Sequence, residues 1–159
     1  MADGGSRLGR RSAALGLVSA SVTAYQLVLM QLLSYVYGYH FAFLVVSIAL
    51  LGFGASGTFL FVFRRWLDRQ EGPVLSLCLV GAGIAMAAGP VIAGLPGFQL
   101  DVHVLLLKPS MWGRLMAVSL LFFLPFFLAA LAIGRILTRS AERVGPLYAA
   151  NLFGSGLGG

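Results

Sequence analysis

The chain has 159 residues, 59% of them hydrophobic and only 10% charged, with a mean hydropathy of +0.93 and a net charge of +6. A soluble domain carries about 25% charged residues, so this composition excludes a water-soluble globule. The charges are also segregated, with none in 12–63, 72–100 or 115–134. A hydrocarbon core about 30 Å thick takes about 20 apolar helical residues to cross. The first stretch therefore holds two crossings and each of the others one. The sequence predicts an all-α, polytopic transmembrane helical bundle of four spans plus a truncated fifth.

In chain order, residues 1–12 form a basic cytoplasmic tail with Arg7, Arg10 and Arg11. This start resembles an export signal, with small residues before Ala24, but the apolar run continues through "YQLVLMQLL" into a full-length span. The four-span bundle occupies 13–145, with crossings at 13–35, 41–63, 73–94 and 115–135. The first two are divided at "SYVYGYH", where Gly38 loosens the backbone and Tyr35, Tyr37 and Tyr39 suit headgroup depth. The fifth span begins near Pro146 and covers 146–159, too short to cross, so the sequence reads as a piece of a longer protein.

The basic residues set the orientation. Alternating sides places Arg7, Arg10, Arg11, Arg64, Arg65, Arg69, Arg135, Arg139 and Arg143 together, against Lys108 and Arg114 on the other side. Cytoplasmic segments carry the Lys/Arg excess, so the N-terminus is expected inside. Anionic inner-leaflet lipid and topology account for the positive charge, without nucleic acid as a partner.

Two stretches match the glycine pattern of a dinucleotide loop: Gly52-x-Gly54-x-x-Gly57, and Gly154, Gly156 and Gly159. Such a loop needs a preceding strand and an acidic residue about 20 positions on. Here the first stretch is flanked by apolar residues, and Asp68 comes too early. On a helix the same residues form small-xxx-small pairs that let backbones approach. Gly52, Gly54 and Gly57 in the second span, Gly81 and Gly89 in the third, and Gly154 and Gly158 in the fifth are read as packing surfaces.

Polar residues inside the spans are the remaining candidates. Gln26 and Gln31 are expected to face other helices or a wet cavity, because an unpartnered amide in lipid is costly. His40 and Ser47 fall on one stripe with Gly54, with His40 near the outer surface. Pro125 is expected to kink the fourth span, and Pro90 to end or bend the third. Cys78 is the single cysteine, so no internal disulfide forms; the two histidines lie apart, no metal-site spacing exists, and no cofactor or catalytic residue is assigned. In the loop 95–114, "VHVLLL" is too short to cross, and its Asp101 and His103 define no reaction.

"LLSYVYGYHFAFLVVSIALLGFGASG" (32–57) and "VGPLYAANLFGSGLGG" (144–159) resemble the membrane portion of bacterial multi-span spermidine synthase-like proteins. The shared pieces are Gly38-Tyr39-His40-Phe41, Leu51-Gly52-Phe53-Gly54 and Leu147-Tyr148-Ala149-Ala150-Asn151 leading into Gly154. The resemblance implies an inner-membrane helical bundle preceding a soluble aminopropyltransferase-like, Rossmann-type domain. Relatives often carry a Glu and an Arg about where Gln26 and Gln31 stand, and the soluble domain has no counterpart in these residues. The expectation is thus a non-enzymatic membrane module that anchors or serves a further domain, with the lipid bilayer and other helices as partners. The rival is part of a secondary transporter, with Gln26, Gln31 and the Pro125 kink lining a path.

Overall fold

The computed structural model describes residues 3–38, 40–69, 71–95, 109–140 and 144–159. Six helices follow in order: α1 (Asp3–Tyr37), α2 (His40–Val62), α3 (Arg64–Arg69), α4 (Glu71–Ala93), α5 (Pro109–Arg139) and α6 (Val144–Gly158). No strand occurs among the described residues. Four helices carry stretches long and apolar enough to cross a bilayer: Gly9–Tyr37, Phe41–Val62, Gly72–Ala93 and Trp112–Arg139. The fold is an all-α bundle, and the chain is a multi-pass membrane protein.

Several boundaries differ from the sequence reading. The basic tail is helical from Asp3 onward, so α1 has 35 residues and is about 50 Å long at 1.5 Å per residue. It outreaches a hydrocarbon core of about 30 Å, which lets its arginines extend beyond the apolar layer. Arg64–Arg69, expected as loop, forms the short helix α3. α5 starts earlier than expected, at Pro109. Residues 96–108 of the loop, with Asp101 and His103, lie outside the described residues.

α5 is the central helix. Of its apolar window 44% is buried, against 22–28% for the other three. Val118, Phe122, Phe126 and Ala129 of α5 meet Val22, Leu29 and Leu33 of α1, Val45, Ile48 and Ala49 of α2, and Ala82 of α4 in the main core. Tyr25 and Phe126 pack ring against ring at 5.7 Å. Pro125 is itself fully buried, and the helix continues through it. α4 likewise runs past Pro90 to Ala93 and ends in a turn closed by the Gly94 amide on the Pro90 carbonyl. Large apolar side chains point outward all round, among them Leu17, Leu50, Phe61, Leu77 and Phe153, as expected of a surface solvated by lipid.

The turn between α1 and α2 requires its glycine. Gly38 has φ +97°, the left-handed region that side chains disfavour. Its amide caps the Ser34 carbonyl at 3.0 Å, and its carbonyl accepts from the Phe41 amide at 3.1 Å.

The other glycines divide by face. A Cβ on Gly52 would lie 2.9 Å from the Phe126 Cβ and 3.1 Å from the Phe127 nitrogen, so α2 rests on the α5 backbone there. A Cβ on Gly81 would lie 3.2 Å from Leu128 Cδ1, and one on Gly89 3.0 Å from the Tyr25 hydroxyl. Gly54 and Gly57 are different: both are exposed, with nothing within 4 Å. Neither packs against another helix among the described residues, because 100° per residue turns them away from the Gly52–Ser56 stripe that meets α5. Gly52→Leu is expected to destabilise the purified bundle by about 1–3 kcal/mol through overpacking. Gly54→Leu should stay within about 0.5 kcal/mol, and denaturation in mixed detergent micelles compares the two.

The closest helix pair is α1 with α6. Cβ atoms on Gly154 and Gly158 would overlap the backbone carbonyls of Gly16 and Ala20 respectively. Equal steps along both helices mean that they run parallel. Ser19 Oγ donates to Asn151 Oδ1 at 2.6 Å across this seam, while Leu15 and Leu147 are both fully buried beside Ile136.

Candidate functional site

At one end of the bundle the helix termini gather arginines. α2 gives way to α3 at Phe63, whose carbonyl accepts from the amides of Trp66 and Leu67. Leu67 is buried and anchors α3 across the bundle end. This fixes Asp68 and the Leu67 carbonyl opposite the last turns of α5. Arg135 there is only 6% exposed. Its guanidinium donates through one nitrogen to Asp68 Oδ1 at 3.1 Å and through the other to the Leu67 carbonyl at 2.6 Å. Neutralised in this way, a cation can sit beneath the surface without the full cost of burying a lone charge. Arg11 of α1 donates to Ser140 at 3.5 Å, drawing the start of α1 towards the end of α5.

Two open cavities flank Arg135. One of about 560 Å³ lies between α1, α4 and α5, with Arg10, Arg11, Arg135 and Arg139 around it. Its walls are largely apolar, with Leu75, Leu79 and Ile136 among them. The second, about 1000 Å³, lies towards α2 and α3 and has Arg64 and Asp68 in its lining as well as Arg11, Arg135 and Arg139. Cationic head positions above apolar walls suit a ligand with an anionic head and a hydrocarbon body.

The polar residues singled out from sequence do not converge on this place. Gln26 is half-buried and Gln31 exposed, both in the crossing part of α1, and neither makes a hydrogen bond among the described residues. Ser47 is exposed and donates to its own helix at the Phe43 carbonyl, 2.9 Å away. His40 begins α2, at the end remote from the arginines, and its side chain lies outside the described residues. Among the described residues no group of His, Cys, Asp and Glu could hold a metal ion.

Several residues of the site and the seam have no structural role assigned by the sequence reading. Arg135 enters there only as a topology charge, although its distance of one helical turn from Arg139 allows the helix to carry both. Ser19 and Gly16 carry no distinguishing sequence signal, and Asn151 enters only through the family resemblance. The Tyr25 hydroxyl is buried with no hydrogen-bond partner, and no sequence signal distinguishes it from an interfacial tyrosine. Comparison with known protein families, curated proteins and solved structures yields no match for this chain.

Proposed function

We propose that this chain is a non-enzymatic membrane module, the N-terminal part of a spermidine synthase-like protein of the bacterial inner membrane, which mounts a soluble domain. The α1–α6 seam carries the reading. The segment Leu147–Asn151 leading into Gly154, on which the family resemblance rests, forms the tightest helix contact of the bundle. A helix held this closely to α1 is a rigid base for whatever follows it. α6 rises from the arginine end parallel to α1, so a domain on the arginine side is reached after one further descending crossing. The transporter reading gains no such support, because Gln31 is exposed and neither Gln26 nor Gln31 lines either of the two cavities.

The reading frame beyond the Gly159 codon tests this reading. A Rossmann-type domain is the expected content, and an inverted repeat of these spans would overturn the proposal. Vesicles reconstituted with this chain alone should show neither polyamine flux nor aminopropyl transfer above empty vesicles.

The orientation belongs to the same proposal. The arginine excess at one end supports placing that end in the cytoplasm. Reporters fused after Arg65 and Arg139 should read cytoplasmic, while one near Asp101 should read external. The reverse pattern would invert the topology.

A further inference from the structure

We infer that the cavity between α1, α4 and α5 binds the phosphate of an anionic phospholipid, with an acyl chain against its apolar wall. The inference does not depend on the spermidine synthase-like reading; it needs only the membrane bundle and the geometry of its arginine end.

Charge is the first observation. Among the described side chains at this end are Arg10, Arg11, Arg64, Arg65, Arg69, Arg135 and Arg139, against a single carboxylate, Asp68. Asp68 is engaged by Arg135 and lines the neighbouring cavity. In sequence, Asp3, Glu71 and Glu142 adjoin this end, as do Arg7 and Arg143, so nine arginines stand against four carboxylates and the basic surplus remains. The cavity itself has four arginines in its lining and no acidic residue among the described ones. Arg10 makes no ion pair among the described residues, which leaves its guanidinium available to an external anion. Guanidinium groups match phosphate oxygens in a two-pronged geometry.

The walls are the second observation. Below the arginines the lining turns to Ala14, Leu75, Leu79 and Ile136, on helices that cross the bilayer. A free phosphate has no use for such a surface, whereas a lipid brings a headgroup and a hydrocarbon chain together. Basic pockets between transmembrane helices on the cytoplasmic side are where anionic headgroups collect. The cavity of about 560 Å³ accommodates a phosphoglycerol headgroup and the first part of a chain, the remainder continuing into the surrounding bilayer.

The test uses the full chain purified in a neutral detergent and titrated with phosphatidylglycerol, phosphatidylcholine, glycerol phosphate and inorganic phosphate, with bound lipid read by native mass spectrometry. Phosphatidylglycerol should be retained at least tenfold better than phosphatidylcholine, and the two tail-less anions should not compete at equal concentration. The double variant R10Q/R11Q should weaken phosphatidylglycerol roughly thirtyfold, at about fivefold per arginine. R114Q, at the opposite end, should leave it unchanged. Helical circular dichroism confirms that the variants remain folded, and the separate single variants R10Q and R11Q serve if the double variant does not. Equal retention of the two lipids, an equal loss in R114Q, or displacement by inorganic phosphate would overturn the assignment.

Discussion

Gly154→Val is expected to unseat α6 from α1. Any side chain at this position enters the Gly16 backbone, where an added Cβ would stand 2.8 Å from the carbonyl carbon. No rotamer of a flexible neighbour can relieve that overlap, since the obstacle is main chain. The helices must move apart. Separation lengthens the Ser19–Asn151 hydrogen bond of 2.6 Å and opens the contact between Leu15 and Leu147. In a bilayer, helices associate through close packing and such hydrogen bonds, because lipid tails are as apolar as the side chains they replace. The loss should reach about 3 kcal/mol, the upper range for overpacking, with about 0.5 kcal/mol more from the strained hydrogen bond. Gly156→Val is the matched control: Gly156 is exposed and has nothing within 4 Å. Disulfide trapping between cysteines introduced by Ser19→Cys and Asn151→Cys, whose side chains meet across the seam, with Cys78→Ala, measures the seam directly. Trapping should collapse in Gly154→Val and persist in Gly156→Val; equal trapping in both would show that the seam does not depend on glycine.

Arg135→Ala should be the most damaging change at the arginine end, and more damaging than Asp68→Asn. Removing the arginine deletes both of its hydrogen bonds, leaves the Leu67 carbonyl unpaired, and empties space between the two cavities. Charge-assisted hydrogen bonds contribute about 1.5–3 kcal/mol each when buried. The Asp68 side chain is 51% exposed against 7% for Arg135, so water screens that half of the pair and its share is discounted. A net loss of about 2–3 kcal/mol is expected for Arg135→Ala. Asp68→Asn retains the bond to the Leu67 carbonyl and an amide oxygen for the other nitrogen, and should cost about 1 kcal/mol. Denaturation midpoints in micelles rank the two variants, and the opposite order would mean that Asp68, not Arg135, organises this end.

The four crossings were legible because charge is so expensive in hydrocarbon that its absence over 12–63, 72–100 and 115–134 leaves little choice. Which faces meet was far less legible. α2 is apolar all round, so its sequence offers two small-residue stripes, Gly52–Ser56 and Gly54–Thr58, with equal claims to a neighbour. Only the position of α5 decides between them. In water, the polar face of a helix would have marked the outside; in lipid that mark is missing. Gly16 shows the same limit from the other side, since a lone glycine within α1 announces nothing until Gly154 is laid against it. The cluster around Arg135 was hidden because its partners, Leu67 and Asp68, sit on a six-residue helix too short to show periodicity. The arginines themselves were visible, but as topology signals rather than as the lining of a cavity.

The parallel seam between α1 and α6 also has a consequence in time. Ser19 and Asn151 are 132 residues apart, and at roughly 5–20 residues per second a ribosome needs on the order of ten seconds to cover that distance. Throughout this interval the groove along Gly16 and Ala20 is open within the nascent bundle. Until α6 is made, the close backbone contacts that Gly154 and Gly158 provide for this groove are missing, so the seam is among the last parts of the bundle to close.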